Sequence, residues 1–318
     1  MIESFNTKYK KAIVTGGAGF IGSHIVKELL DMGLEVISID NYSSGNIENL
    51  REFRNDPKFH EHSCDITDYM LMKQYFKGVD IVFNEAAAKK TSCMNNPERD
   101  LAVNAKGAFN IFRLSKEFDV KKVVHASTGS VYGEPIYFPQ DENHPLNPTS
   151  FYGVNKLAGE KYAMAFAHLY DMDITVLRYF HVYGPKQDSS DLGGVIPIFC
   201  RRSIEGKAIK IYGDGSQQRS FTHVSDIVKA NIIVAQTKET KGQSYNCASG
   251  IKVTIKELAD KVLIMSGRMT IEYRDWMPGD IKIFDIDNSK IKRLGMEFMT
   301  DFDKGLKDTF EWYNRNLK

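Results

Sequence analysis

The sequence predicts an α/β fold: a doubly wound parallel sheet with a smaller mixed α/β lobe. Three observations predict it. Apolar, β-branched runs of strand length alternate with amphipathic stretches through the first half of the chain, and such alternation builds parallel strands covered by helices on both faces. After VYGP at 182–185 the texture changes to shorter elements and to turns such as YGDGSQQRS and MPGD. With 318 residues, the chain is long enough for one large domain and a second lobe.

In order, KAIVTG (11–16), EVISID (35–40), DIVFNEA (80–86), KKVVHAST (121–128) and DITVLRYFHVY (173–183) read as buried strands. The segment CDITD closes a further strand at Asp65. Amphipathic helices are expected near 20–32, 68–77, 97–118 and 150–170. The large domain is placed over 1–183 and the smaller lobe over 184–318. Within the latter, the stretch 221–240, which includes FTHVSDIVKANIIVAQ, is expected to return to the large sheet.

Composition excludes several classes. The 42 basic and 41 acidic residues give a net charge of +1, which argues against a nucleic-acid footprint and against a polybasic membrane patch. No apolar run approaches the roughly 18 residues that span a bilayer. MIESFNTKYKKAIVTGG has an early acidic residue and no long apolar stretch before a cleavage site, so it does not read as a signal peptide. Cys64, Cys93, Cys200 and Cys247 are widely spaced and form no CxxC pair. We expect a cytoplasmic protein without disulfides, with its thiols as small core residues and no bound metal.

TGGAGFIG, Thr15 to Gly22, follows the first strand and opens the first helix, with Gly16, Gly19 and Gly22 at GxxGxxG spacing. The three glycines would serve a tight turn, a close approach of backbone to a pyrophosphate, and close helix–strand packing. The helix start, at Phe20 and Ile21, supplies unpaired N–H groups and the positive end of the helix dipole. Asp40 ends the second strand, 18 residues after Gly22. There a carboxylate can accept from both ribose hydroxyls and repel a 2′-phosphate, so the expected cofactor is NAD rather than NADP. Asp65 and Ile66 are placed at the adenine edge.

FYGVNK puts Tyr152 and Lys156 four residues apart at the start of a helix, facing the same way. A free tyrosine, with a pKa near ~10, is a poor base at neutral pH. A lysine ammonium one turn away favours the phenolate and can hold a nicotinamide ribose.

These motifs together resemble the extended short-chain dehydrogenase/reductase family, in particular its NAD-dependent nucleotide-sugar 4-epimerases and dehydratases. TGGAGFIG, DNYSSGN, CDITD, STGSVYGE, YGVNK, LRYFHVYGP, YGDGSQQRSFTHVSD and MPGD follow the family's order over nearly the whole chain. The resemblance implies a Rossmann-type lobe for NAD and a C-terminal lobe, with a nucleoside-diphosphate sugar between them. It implies Thr128, Tyr152 and Lys156 as the catalytic set. It puts Asn41, Ser43, Ser44, Gly45, Ala86, Ala87 and Tyr179 at the cofactor, and Thr128, Gly129, Ser130, His181, Arg219 and Met277 at the substrate. A homodimer is implied as well, for which Phe109, Phe112, Leu157 and Met164 are candidate contacts; packing within one chain explains them nearly as well.

Departures from the family's pattern narrow the chemistry. Dehydratases and decarboxylating members that resemble this chain carry acidic residues where Gly129 and Ser130 stand. Glycine can neither protonate a leaving hydroxyl nor take a C5 proton, and serine does so poorly unaided. The expected reaction is therefore oxidation at C4 and return of hydride to the opposite face. His181 replaces a common asparagine, and Met277 replaces an arginine that clamps a phosphate in many relatives. We therefore expect a nucleotide sugar other than UDP-glucose, with either Arg201, Arg202 or Lys186 compensating for the lost cation or the nucleotide seated differently. The alternatives are a net C4 dehydrogenase of a GDP-linked hexose or heptose, and a non-catalytic NAD(H) sensor.

Overall fold

The computed structural model describes residues 2–89, 93–268, 270–276 and 285–317. Along the chain, β1 (Lys11–Thr15), β2 (Glu35–Asp40), β3 (Phe59–Ser63), β4 (Ile81–Asn84), β5 (Lys122–Thr128) and β6 (Ile174–Tyr179) supply six strands of one parallel sheet. Next come β7 (Val182–Tyr183), β8 (Ile209–Tyr212), β9 (Gln218–Ser220) and β10 (Thr222–His223), before β11 (Gln243–Cys247) rejoins the large sheet as its seventh strand. The order is β11-β6-β5-β4-β1-β2-β3. The chain reverses direction of progress between β1 and β4, and in open α/β sheets the crevice beyond the strand ends at that point is the ligand position.

These strands are apolar on both faces because both faces are covered. In β1, Ala12, Ile13 and Val14 are fully buried. Val14, Phe83 and Leu177 pack on one side with Ile25 and Leu29 of the helix Phe20–Asp31 and with Ile227 and Ile233 of the helix Val224–Gln236. Ile13, Val82 and Val123 pack on the other with Ile111, Phe112 and Ala163. The helix Val224–Gln236 lies in the stretch expected to return to the large sheet, and β11 carries that return beyond residue 240. Polar QSYNC gave no apolar run by which to recognise β11.

In the second lobe, β12 (Lys252–Thr254) pairs antiparallel with β9, and β13 (Ile271–Arg274) pairs parallel with β8. Helices Val195–Ile204, Ile255–Ser266 and Phe302–Asn316 close a separate core around Phe199, Leu258 and Phe310.

Two expected elements are interrupted. The 97–118 helix runs as Pro97–Asp100, a wide π turn over Leu101–Gly107 and then Ala108–Glu117. Asn104 in the wide turn donates to Ala88 O at 3.2 Å and to Asp100 Oδ1 at 2.6 Å, and accepts from Ala88 N at 3.1 Å. The 173–183 strand breaks between β6 and β7 at His181, whose φ of 37° no strand accommodates. The expected 68–77 helix is regular only over Tyr69–Lys73.

Candidate active site

One cleft of 1880 Å³ opens above the C-terminal ends of the parallel strands, between the two lobes. Gly16, Gly19, Phe20, Ile21, Asp40, Asn41, Ser43, Ser44, Gly45, Asp65, Ile66, Ala86, Ala87, Thr128, Tyr152, Tyr179 and His181 all line it. Gly22, Lys156, Gly129, Ser130 and Arg219 lie outside its lining. Met277 falls outside the described residues, as does the rest of MPGD.

Each of the three glycines holds a position where a Cβ would meet backbone. Gly16 has φ 66°, and a Cβ there would lie 2.8 Å from the Cα and N of Ala86. A Cβ on Gly22 would lie 2.1 Å from Gly16 O, so this glycine serves helix–strand packing beneath the loop. Gly19 caps the helix Phe20–Asp31 with no side-chain hydrogen bond. Its first N–H groups therefore face a cradle floored by backbone and free of side chains, which suits an anion.

Asp40 is buried and already engaged. Its Oδ2 accepts from Ala18 N at 3.1 Å and its Oδ1 from Tyr42 N at 2.8 Å. Burial raises its pKa despite these bonds. Each carboxylate oxygen keeps a further lone pair for a ribose hydroxyl. Nearby, Asp65 accepts from Asn41 Nδ2 at 2.7 Å, from Thr67 Oγ1 at 2.7 Å and from Arg99. Burial alone would raise its carboxyl, yet the bonds from Thr67, Arg99 and Asn41 hold it at about 2. Arg99, which the sequence reading missed, lines the cleft beside it.

At the opposite end, Thr128 ends β5 directly across from Tyr179 on β6. The helix Phe151–Tyr170 starts at Ser150, whose hydroxyl accepts from Gly153 N at 3.1 Å, and this sets Tyr152 at the cleft wall. Burial pushes the Tyr152 phenol up to about 12, against a hydrogen bond with Thr128 that lowers it. Lys156 is buried and donates to Ala126 O at 2.6 Å. Burial brings its ammonium down to about 8, while Glu85, Glu160 and Asp100 act to raise it. The expectation that the lysine lowers the phenol is thus not met in this arrangement, because the ammonium is directed at a β5 carbonyl and desolvation dominates the phenol. Beneath the pair, Glu160 accepts from Ser127 Oγ at 2.5 Å and forms a bidentate pair with Arg178, at 3.0 Å and 2.7 Å.

The substrate end departs further from expectation. His181 reaches the cleft, its ring edge-on to Phe221 at 6.1 Å. Arg219 is held on the second lobe, where Nη1 donates to Gln218 O at 2.9 Å, and it does not reach the cleft wall. Of the three cations considered as compensating groups, Lys186 alone lines the cleft, and its Nζ is engaged by Glu52 at 2.9 Å and Asn49 O at 3.0 Å. Arg201 pairs with Asp191 at 2.5 Å, and Arg202 donates to Ala208 O at 2.6 Å. Trp312 and Tyr313, from the last helix, also line the cleft. Nothing in their local sequence signals this. Among the described residues no metal-ligating cluster is found.

A cradle for an anion, an acidic residue at the second strand end and a Thr–Tyr pair on one cleft, with the buried Lys156 one turn along the same helix, define an NAD-dependent enzyme of the extended short-chain dehydrogenase/reductase type. The chain belongs to the NAD dependent epimerase/dehydratase family, whose model matches residues 12–248. The UDP-glucose 4-epimerase of Mycolicibacterium smegmatis is 34% identical over 95% of this chain and 98% of its own length. The UDP-glucose 4-epimerase of Thermotoga maritima, solved with UDP-glucose, superposes with a TM-score of 0.91 at 34% identity over 97% of this chain and 100% of its own. A UDP-N-acetylglucosamine 4-epimerase from Methanobrevibacter ruminantium, solved with UDP-N-acetylmuramic acid, gives 0.92 at 35% identity over 97% and 99%. Dehydratases and decarboxylases of sugar nucleotides also fall among the relatives.

Proposed function

We propose that the protein is a nucleotide-sugar 4-epimerase that oxidises C4 and restores it with inverted configuration. The observation that carries this is the meeting of Thr128 and Tyr152 in the same cleft as the glycine cradle and Asp40, with no acidic side chain at 129 or 130. NAD, when bound, supplies a reversible acceptor for the C4 hydride. Gly16, Gly19 and the helix start would hold its diphosphate, Asp40 a ribose, and Asp65, Ile66 and Asn41 the adenine edge. Ala86, Ala87 and Lys156 would border its nicotinamide half. Tyr152 takes the proton of the 4-hydroxyl, Thr128 orients that hydroxyl, and the same phenol returns the proton after inversion. The phenol's raised pKa means the phenolate is a strong base when formed, and the hydrogen bond with Thr128 is the interaction that favours it.

The 4-epimerases among the relatives are named for UDP sugars and the dehydratases for dTDP-glucose, so we read the nucleotide as UDP and the sugar as the open variable. The expectation that UDP-glucose itself binds poorly rested on His181, which borders the cleft, and on Met277 outside the described residues. Incubation with UDP-, GDP-, CDP- and dTDP-sugars, with products read by NMR, tests the whole reading. Formation of a C4 epimer from one of them is the expected result, and a 4-keto sugar with an equal amount of reduced cofactor contradicts it.

We further propose a homodimer. Phe112 is fully buried in its own chain and so cannot reach a second copy, while Phe109, Leu157 and Met164 are partly buried there. The helix Phe151–Tyr170 also exposes Val154, Tyr162 and Leu169 at 50%, 42% and 68%, at helical spacing along one side. Light scattering is expected to give twice the chain mass, and a Leu169→Lys variant to reduce it. We read the four free, buried thiols as suited to the cytoplasm. No described helix is long and apolar enough to cross a membrane.

A further inference from the structure

We propose that Glu85 biases the cofactor in this cleft toward its oxidised form, by placing a carboxylate beside the nicotinamide end. The proposal rests on reading the cleft as an NAD redox site. Glu85 directly follows the end of β4 and lines the cleft next to Ala86, yet neither the motif nor the reaction chemistry assigns it a role.

Its position is set by a directional chain of hydrogen bonds. Asn231 donates to Ile227 O at 2.9 Å and to the Tyr179 hydroxyl at 2.8 Å. With its oxygen accepting from the amide, the Tyr179 hydroxyl directs its own proton to Glu85 Oε1 at 2.9 Å. The bond places an acceptor oxygen at 85 and favours the ionised carboxylate without requiring it. Tyr179 is in register with Thr128, so the carboxyl lies at the level where C4 is oxidised. A hydride acceptor must come within contact of C4, which puts the nicotinamide in the same low-dielectric neighbourhood.

The charge balance there needs an anion. Oxidised nicotinamide is a cationic ring and the reduced ring is neutral, while Lys156 adds a buried positive charge. Taken alone, the lysine would repel the oxidised ring. A carboxylate at 85 offsets that field and attracts the cation, and inside a protein such terms survive that water would screen. The titratable groups facing Glu85 are Lys156 from the helix Phe151–Tyr170, the Tyr179 phenol from β6 and the Cys247 thiol from β11; the helix Val224–Gln236 contributes Asn231, which does not titrate. Burial raises the Glu85 carboxyl to about 7, with the Tyr179 bond and Lys156 pulling it down, so its ionisation falls near neutrality. A cationic ring favours the carboxylate, so preference for the oxidised cofactor should strengthen as pH rises.

The test equilibrates the protein with an equal mixture of NAD⁺ and NADH, then measures the bound ratio by chromatography of cofactor released on denaturation. In the wild type, the preference for NAD⁺ should be about tenfold greater near about pH 7.5 than near about pH 6. E85Q, whose amide oxygen can still accept from Tyr179, should show the weak preference at both values. A wild-type ratio with wild-type pH dependence in E85Q overturns the proposal. Y179F is the second variant: loss of the donor should move the change in ratio to higher pH, and an unmoved change counts equally against the proposal. Failure of the wild type to bind either form would instead remove the NAD reading itself.

Discussion

A Cβ placed on Gly129 would lie 2.3 Å from Cε1 and 2.6 Å from Cδ1 of Phe180. The aromatic ring, itself buried with Tyr132 and Val131, occupies the space that any larger residue at 129 would need. The position that carries an acid in dehydrating relatives is therefore closed by packing as well as by residue identity. We predict that no C6-methyl product forms from any hexose substrate, as judged by NMR. Gly129→Asp should destabilise the fold by about 1–3 kcal/mol, the usual range for overpacking, as read in thermal melts.

Tyr152→Phe should lower turnover by about 10²–10⁴-fold, the usual worth of a positioned acid–base group. Binding of NAD and of the sugar nucleotide should change little, because the ring still fills its place. Thr128→Val should also slow turnover, and it removes the hydrogen bond that lowers the Tyr152 phenol. Steady-state rates beside calorimetric affinities check both variants.

Asp40 binds two backbone N–H groups besides any ribose, at Ala18 and Tyr42. Asp40→Ala should therefore loosen the 16–19 loop and the 41–45 loop together and weaken NAD binding on both counts. A neighbouring arginine added to that variant should raise NADP affinity relative to NAD. Calorimetry with both cofactors checks this, and equal affinity for NAD and NADP in the unmodified protein would remove the role assigned to Asp40.

Glu85 is expected to leave a mark on stability as well. Its carboxyl is raised from 4.5 to about 7 by burial, so the folded state holds the proton more tightly than the unfolded chain. The associated stability is fully present below the unfolded value and is lost as pH rises through the folded one. Relative to Glu85→Gln, the wild type should lose up to about 3 kcal/mol between pH ~4.5 and ~7. Urea unfolding of both proteins across that window gives the comparison, and parallel curves would contradict the burial of an ionising group.

The parts of the fold legible in sequence were those whose burial is two-sided. KAIVTG, EVISID and KKVVHAST could only be covered strands, and the glycine spacing at 16, 19 and 22 had a backbone geometry behind it. Strand β11 was not legible, since QSYNC is half polar and its place depends on pairing with β6. His181 breaks what reads as one continuous strand because its left-handed φ has no sequence signature in histidine. In the site, local motifs led to residues that line the cleft, such as Gly16 and Asp40. Glu85, Arg99 and Trp312 reach the cleft only through the tertiary fold. Arg219 shows the converse: a cation in a recognisable motif whose direction is set by the β9–β12 pairing rather than by its neighbours.

The central claim is that one hydride leaves C4 and returns to C4 on the opposite face. A converted sugar nucleotide carrying deuterium at C4 tests it most directly, with the position of the label followed by NMR as the reaction runs to equilibrium. The account predicts that the label stays at C4 in both epimers, with no exchange into solvent and no build-up of deuterated free cofactor. Loss of the label to water, or its accumulation in released cofactor beside a 4-keto sugar, would contradict it.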